Sequence, residues 1–467
     1  MERSPIRFTA DWVAAAVGGR IVTGDSAHVF TSVGIDTRTL QPGALYIAIR
    51  GERFDGADFV DAAVAAGASG VVVPSGRAAR PTGDVVAIEV RDTTAALQAL
   101  AHAVRRASAA KVVAITGSAG KTTTKEVTAE FLSARYRVMR NRGNFNNHIG
   151  LPLSLIELSA APDVAVVELG MNHAGEISTL VAIAEPDIRV WTNVGEAHLG
   201  FFQSVDAIAD AKAEIFEGAS RDTVLIANAD DERIAARLPA FSGRLVTFGI
   251  DHDADVRATK VADRGIEGIS ARVTTPKGAA DIATPLLGRG NLLNVLAATG
   301  VAVELGVPLD VVEARAAQLR PPSHRGEVVR LRNGITVVDD SYNANPAATK
   351  RALDVMANTN AARRVAILGE MLELGDRSTA LHQGVGRAAA SVGVDRLLTV
   401  GGPPAQALGE AAITAGVPAS HVEHFATSAE AAERASALVH AGDLVLVKGS
   451  RGVRTDVVVD RLKAEQG

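Results

Sequence analysis

The residues best suited to chemistry stand in the stretch KVVAITGSAGKTTTK, from Lys111 to Lys125. An apolar run stops at Gly117, and Ser118, Ala119 and Gly120 lead directly into Lys121, Thr122 and Thr123. Glycine permits close backbone approach and unusual φ, so these loop N–H groups and the N-terminus of a following helix can converge on an anion. Lys121 adds a point charge, and the two threonines add hydroxyls suited to a phosphate oxygen or to Mg²⁺. The usual nucleotide loop carries four residues between its glycine and the GK pair; here Ser118 and Ala119 stand alone between them. Other polar groups also follow apolar runs. Glu168 ends one, Thr192, Asn193 and His198 follow another, and Asn228, Asp230 and Asp231 follow a third.

Such groups need a scaffold that delivers them to one place. Val112 to Ile115 reads as a buried parallel strand and Thr122 to Leu132 as a helix, with Val127, Phe131 and Leu132 at helical spacing. Further strands are expected at Tyr136 to Arg140, Val164 to Leu169, Ile188 to Val194, Val224 to Asn228 and Leu245 to Gly249, separated by helical segments. That alternation predicts a parallel sheet with crossover helices, whose functional groups gather at the carboxyl ends of the strands. Residues 254 to 287 read as a β excursion, after which helix resumes with Asn291 and Asn294 one turn apart. Ahead of the loop, Leu45 to Ile49 and Gly70 to Val73 read as strands around a helix from Ala57 to Ala66. Pro321 and Pro322 mark a boundary. Beyond it a hairpin (Val328 to Leu331, Ile335 to Val338), a helix opening after DDSYNANP, and strands at Val365 to Leu368, Leu397 to Val400 and Leu444 to Val447 predict a second nucleotide-fold-like sheet. The expected fold is α/β in three domains: a small α/β unit over 1–88, a central P-loop ATPase-like parallel-sheet unit over 89–320 and a Rossmann-like unit over 321–467.

The 467 residues exceed one ordinary core, in keeping with several domains. A net charge of -5 argues against a nucleic-acid partner. The absence of cysteine excludes disulfides, thiolate metal sites and a cysteine nucleophile. The opening MERSPIRFTADWVAAAVGGR lacks the apolar core of a signal peptide, and no apolar run is long enough to span a bilayer, so a cytoplasmic protein without membrane insertion is expected.

The motifs converge when taken together. ITGSAGKTTTKE, NFNNHIGLPLSL, VVELGMNHAGEI, TNVGEAHLGFF, AKAEIFEG, NADD, DDSYNANP, LGEMLELGDRSTALH and LVKGSRG occur in that order. The chain resembles the Mur ligases of peptidoglycan synthesis over essentially its whole length, and SYNANP and GEMLELG resemble the member that adds a dipeptide. The resemblance implies an ATP- and Mg²⁺-dependent ligase acting on UDP-MurNAc-tripeptide and D-alanyl-D-alanine through an acyl phosphate, and a monomer is expected. It implies ATP contacts from Gly117 to Thr123, with Asn291 and Asn294 on the adenine side and Arg325 and Asp340 closing from the third domain. Thr122, Glu168 and His198 are implied metal ligands, joined by Lys212 as a carbamate, and Lys121, His198 and Lys212 are the implied catalytic groups. Asp36, Thr37 and Arg38 are implied UDP-sugar contacts in the first domain. Asn146, Asn147, Tyr342, Asn343 and Asn345 complete the implied substrate set. Asn345 and Asn291 could equally cap helices, and Asp36 with Arg38 could equally form a surface pair in a turn. Two departures stand out. The family's DSR and DGH motifs are Asp36, Thr37, Arg38 and Asp55, Gly56, Ala57 here, so an imidazole is missing; and Gly290 stands where a histidine often precedes the asparagine. A nucleotide-operated switch and a folylpolyglutamate-synthase-like ligase are the rival readings.

Overall fold

Seven parallel strands and an antiparallel pair form the sheet that carries the site in the computed structural model, which describes residues 5–76, 84–197 and 199–467. Their order is Gly278–Thr284, Ile269–Thr275, Val256–Asp263, Arg244–Gly249, Val224–Asn228, Ile188–Trp191, Lys111–Thr116, Val164–Glu168 and Val138–Arg140. The expected excursion is thus part of the main sheet: Val256–Asp263 pairs parallel with Arg244–Gly249, and the last two strands follow antiparallel. Lys111–Thr116 is buried at every residue after Lys111, as an apolar run covered on both faces should be. It lies between Val164–Glu168 and Ile188–Trp191, so the chain leaves it in both directions and opens a crevice at its carboxyl end. The phosphate loop falls there.

The helix Lys121–Leu132 is held by Val127, Phe131 and Leu132, which share a core with Leu292, Val295 and Leu296 of the helix Gly288–Glu304. Truncating a buried phenylalanine such as Phe131 costs about 3–5 kcal/mol. Several expected strands are shorter than predicted, including Val138–Arg140 and Ile188–Trp191. The second ends early because Thr192 and Asn193 turn to brace the phosphate loop.

In the first unit, Arg20–Thr23, Val86–Val90, Gly70–Pro74, Leu45–Ile47 and Val33–Gly34 form a sheet in that order. Val86–Val90 pairs along its length with Gly70–Pro74, so a boundary at 88 falls inside a strand and the sheet runs on to Val90. The expected helix from Ala57 begins as a 3-10 turn, Gly56–Phe59, and becomes α-helix only at Val60–Ala65. A helix not anticipated from sequence, Thr93–Ala107, then joins the two units. Asp92 caps it by accepting from the Thr94 and Ala95 N–H groups, and Leu97, Leu100, Ala101 and Val104 fill its buried stripe.

The third unit is a six-stranded sheet in the order Glu327–Arg330, Thr336–Asp340, Asp443–Lys448, Arg363–Gly369, Arg396–Val400 and Val422–Phe425, parallel apart from its first hairpin. Asp340 and Lys448 end adjacent strands at its carboxyl edge. This unit meets the central one at several places away from the Pro321 linker, including the face between the helices Gly288–Glu304 and Pro346–Ala357 and two further contacts. The Gly200 N–H donates to the Glu373 carbonyl at 2.8 Å. At the tip between Val256–Asp263 and Ile269–Thr275, Ile266 packs on the third core, its N–H reaches Thr359 Oγ1 at 3.1 Å, and Glu267 pairs with Arg330 at 2.7 Å. No helix among the described residues is long and apolar enough to cross a membrane.

Candidate functional site

The short loop is glycine-dependent at both ends. Gly117 has φ +151°, and a Cβ there would sit 1.9 Å from Thr192 Oγ1; Gly120 has φ +81° and would place its Cβ 2.3 Å from Asn294 Oδ1. The donors, however, divide differently from the expectation that the whole loop cradles an anion. The Ser118 N–H donates to the Asn193 carbonyl at 3.0 Å and the Ala119 N–H to Asn193 Oδ1 at 2.9 Å. Thr192 Oγ1 and Asn193 Nδ2 in turn donate to the Ala119 carbonyl at 2.8 and 2.9 Å. The groups left to meet a phosphate are the first-turn N–H groups of Lys121, Thr122 and Thr123, which a helix leaves without internal partners. Asn228 and Asp231 act behind the loop, donating to the Thr192 carbonyl and accepting from the Val194 N–H. Asp230 is committed to the N–H groups of Ile250, Asp251 and His252.

Lys121 Nζ lies 2.7 Å from the Gly117 carbonyl. Burial pushes its pKa below the ordinary lysine value, the Glu168 charge opposes that, and Arg325 adds to it. Thr122 Oγ1 donates to Glu168 Oε2 at 3.0 Å, which brings two hard oxygens together beside the loop. Sequence reading missed the support behind them: buried Lys125 lies 3.8 Å from Glu168 Oε1 and donates to the Asn141 carbonyl, while Asn141 Oδ1 accepts from the Glu168 N–H. The signal was present in the second lysine of GKTTTK. His198 lies outside the described residues, and among the described residues no group of three His, Cys, Asp or Glu side chains is arranged to hold a metal ion.

A cavity opens between this loop and the third unit. Ser118, Gly120 and Thr123 wall one side with Asn291 and Asn294, and Arg325, Asp340, Tyr342 and Asn345 wall the other. Asn294 Nδ2 donates to Asn291 Oδ1 at 3.0 Å, and Thr124 Oγ1 to Asn294 Oδ1 at 3.2 Å, so the two asparagines are set as a pair. Arg325 lies over the Tyr342 ring at 4.0 Å. Asp340 Oδ2 meets the buried Lys448 ammonium at 2.5 Å, a partner visible in sequence only as the lysine of LVKGSRG. Asn343 is exposed, with its Oδ1 accepting from the Ala344 N–H.

Several expected ligands have local work. Asn345 Oδ1 caps the helix Pro346–Ala357 through the Ala348 N–H at 2.9 Å, and Asn147 Oδ1 accepts from the N–H groups of Ile149 and Gly150 at the start of Gly150–Ile156. Asn146 stays near the strand end, its carbonyl accepting from the Gly170 N–H at 2.8 Å. Asp36 and Arg38 pair with each other within a turn at 2.6 Å, which with the Arg38 N–H holds Asp36 down to about 2; Thr37 lies between them. Lys212 is not a solvated surface lysine. It is buried in the helix Val205–Ala213, and burial, then the positive charge of Lys121, pushes its pKa well below the ordinary lysine value. Arg189 holds the end of that segment by donating to the Ile215 and Glu217 carbonyls.

Comparison with known proteins reproduces this order of parts. The Mur ligase family, catalytic domain, matches residues 29–130, the Mur ligase middle domain 115–302, and the Mur ligase, glutamate ligase domain, 324–451. The UDP-N-acetylmuramoyl-tripeptide--D-alanyl-D-alanine ligase of Escherichia coli (strain K12) is 38% identical, over 92% of this chain and 93% of that one. Its counterpart of the same name in Bacillus subtilis (strain 168) is 33% identical over 98% of each. Among solved structures, crystal structure I of MurF from Acinetobacter baumannii superposes with a TM-score of 0.88 at 30% identity, covering 99% of this chain and 100% of that one. The MurF ligase from Thermotoga maritima in complex with ADP superposes with a TM-score of 0.82 at 27% identity, covering 93% and 97%.

Proposed function

The chain belongs to the Mur ligase family, and from that premise we propose that it joins D-alanyl-D-alanine to UDP-N-acetylmuramoyl-tripeptide at the expense of ATP. The observation that carries this reading is the shared cavity: the phosphate loop of the central unit and the SYNANP segment of the third unit wall one space. A carboxylate and an ammonium do not condense in water, so the carboxylate must first be activated. The terminal carboxylate of the tripeptide attacks the γ-phosphorus of ATP, ADP leaves, and an acyl phosphate results. The neutral amine of the dipeptide then adds to the acyl carbon, loses a proton, and phosphate departs as the amide forms. Phosphoryl transfer of this kind is mainly positioning and charge neutralisation. The first-turn N–H groups and Lys121 serve those ends, Asn291 and Asn294 hold the adenine side, and Arg325, Asp340 and Tyr342 close over the nucleotide. The dipeptide lies by Tyr342 and Asn343, the UDP-sugar by Asp36, Thr37 and Arg38, and the tripeptide end passes Asn146. The three units divide the work accordingly, sugar nucleotide, ATP and incoming dipeptide.

Thr122 and Glu168 form a pair of hard oxygens that fits Mg²⁺, an ion that takes few protein ligands and completes its shell with water and phosphate. When bound, it supplies positive charge to the transferring phosphoryl group. Lys212 suits a second acidic ligand once modified. Its buried amine is biased to the neutral form, the nitrogen lone pair can bond the carbon of CO₂, one proton is released, and a carbamate oxygen pair replaces an ammonium. His198 is the remaining ligand in this reading.

ADP release measured with ATP alone, with one further substrate, and with both tests the reading. Turnover is expected only when the UDP-linked tripeptide and the dipeptide are both present, because an acyl phosphate exposed to water is wasted. Equal ADP production from ATP alone would favour a nucleotide-operated switch.

A further inference from the structure

Gly290 lies in the first turn of the helix Gly288–Glu304, where its φ is not in the left-handed region. A glycine with ordinary helical backbone is a poorer helix former than alanine, so backbone conformation gives no reason for it. Space does. A Cβ on Gly290 would stand 3.1 Å from Arg351 Cδ and 3.5 Å from its Nε. Arg351 belongs to the helix Pro346–Ala357 of the third unit, so this side chain crosses the domain interface and lies over the central unit beside Asn291.

The guanidinium there is uncommitted. Arg351 lines the nucleotide cavity and is half-buried, yet among the described residues its side chain makes no hydrogen bond or ion pair. Asp340 and Asp354 act on it only at longer range, and Asp340 is already held by Lys448 at 2.5 Å. The neighbouring arginines are engaged elsewhere: Arg289 pairs with Asp251, and Arg325 covers Tyr342. A half-buried cation with five N–H donors and no partner is costly unless something else satisfies it.

We propose that Arg351 is an ATP-binding residue of the third unit, which enters the space left by the missing Gly290 side chain and presents its planar guanidinium to the adenosine half of the nucleotide. The adenine ring offers acceptor nitrogens and a π face, and the ribose offers oxygens, all matched by a flat donor fork and poorly matched by an ammonium. The inference rests on the ligase reading for the identity of the nucleotide. It also makes ATP a bridge between the two units, since Asn291 belongs to the central unit and Arg351 to the third.

The experiment is a double-mutant cycle of Gly290→Ala and Arg351→Ala in the full-length protein, read by the KM for ATP and by calorimetric ADP binding. Arg351→Ala is expected to raise the KM for ATP and the Kd for ADP roughly tenfold to a hundredfold, the range for hydrogen bonds to a charged group. The KM for the UDP-linked tripeptide should stay unchanged, which a merely structural role would not permit. Arg351→Lys should behave like the alanine variant. Gly290→Ala, which favours the helix and so keeps the fold, should weaken nucleotide binding in the parent protein by displacing the arginine, and have no effect when Arg351 is absent. Unchanged ADP affinity in Arg351→Ala, or additive effects of the two substitutions, would overturn the assignment. Should the parent protein bind ADP but fail to ligate, the ligase reading falls while the binding cycle still decides the role of Arg351.

Discussion

Half-buried Lys121 and buried Lys212 lie close enough that a charge on the first disfavours a charge on the second. Lys121 has Glu168 to offset it, whereas only burial and repulsion act on Lys212. The difference biases Lys212 further toward the neutral amine than Lys121. Lys121→Ala should therefore lower kcat at least about a hundredfold, a barrier change of about 3 kcal/mol or more typical of preorganised charge, with the circular dichroism spectrum unaltered. Near-parental turnover in that variant would remove the loop from the reaction. Lys212→Ala should lose most activity and regain part of it in formate or acetate, whose carboxylate can occupy the vacated place. An intact-mass increment of one CO₂ on the parent protein, absent from Lys212→Ala, is the accompanying check.

At the scale of elements, the loop from Gly369 to Gly375 shows how a distant side chain holds a contact in place. His382 is fully buried; its Nε2 accepts from the Met371 N–H at 2.9 Å and its Nδ1 donates to the Ser378 carbonyl at 2.7 Å. Both bonds require the neutral ring, and burial lowers its pKa below the ordinary histidine value, opposed by the Ser378 carbonyl and Glu370. As pH falls below about 6.5 the unfolded chain takes up a proton that the folded protein resists, so stability is lost in that direction. Thermal melts from pH 8 to pH 5 should show the advantage of the parent protein over His382→Gln, about 1–3 kcal/mol at pH 8, shrinking as the pH drops. A constant or widening gap would contradict it. Elements of this kind were unevenly legible. Strand, loop and helix from Lys111 to Leu132 could be read directly, because an apolar run, two glycines and a helical stripe are all local signals. The helix Thr93–Ala107 also had a local signature, an Asp92 cap and the spacing of Leu97, Leu100 and Val104, but alanine dilutes its apolar stripe. Val422–Phe425 escaped because glutamate and histidine interrupt a short run. The seizure of the Ser118 and Ala119 N–H groups by Asn193 could not be read at all, being a contact between remote segments. Nor could the choice of Asn345 and Asn147 between capping and ligand binding, since one amide oxygen suits both.

Across the whole molecule the proposed nucleotide contacts come from both sides of the Pro321 boundary, the first-turn N–H groups on one and Arg325 with Asp340 on the other, which wall one cavity. The third unit should therefore move as a rigid body, closing on the phosphate loop when substrates bind and excluding water from the acyl phosphate. Solution scattering is expected to show a smaller radius of gyration with an ATP analogue and the UDP-linked tripeptide than with neither. An unchanged radius would count against closure. The tip at Gly265–Glu267 bears on this motion, because it touches the third unit through Thr359 and Arg330, apart from the contact of Gly200 with Glu373. Opening of the third unit would have to break at least one of these contacts, so hydrogen bonds that never meet a substrate would add to the cost of reopening.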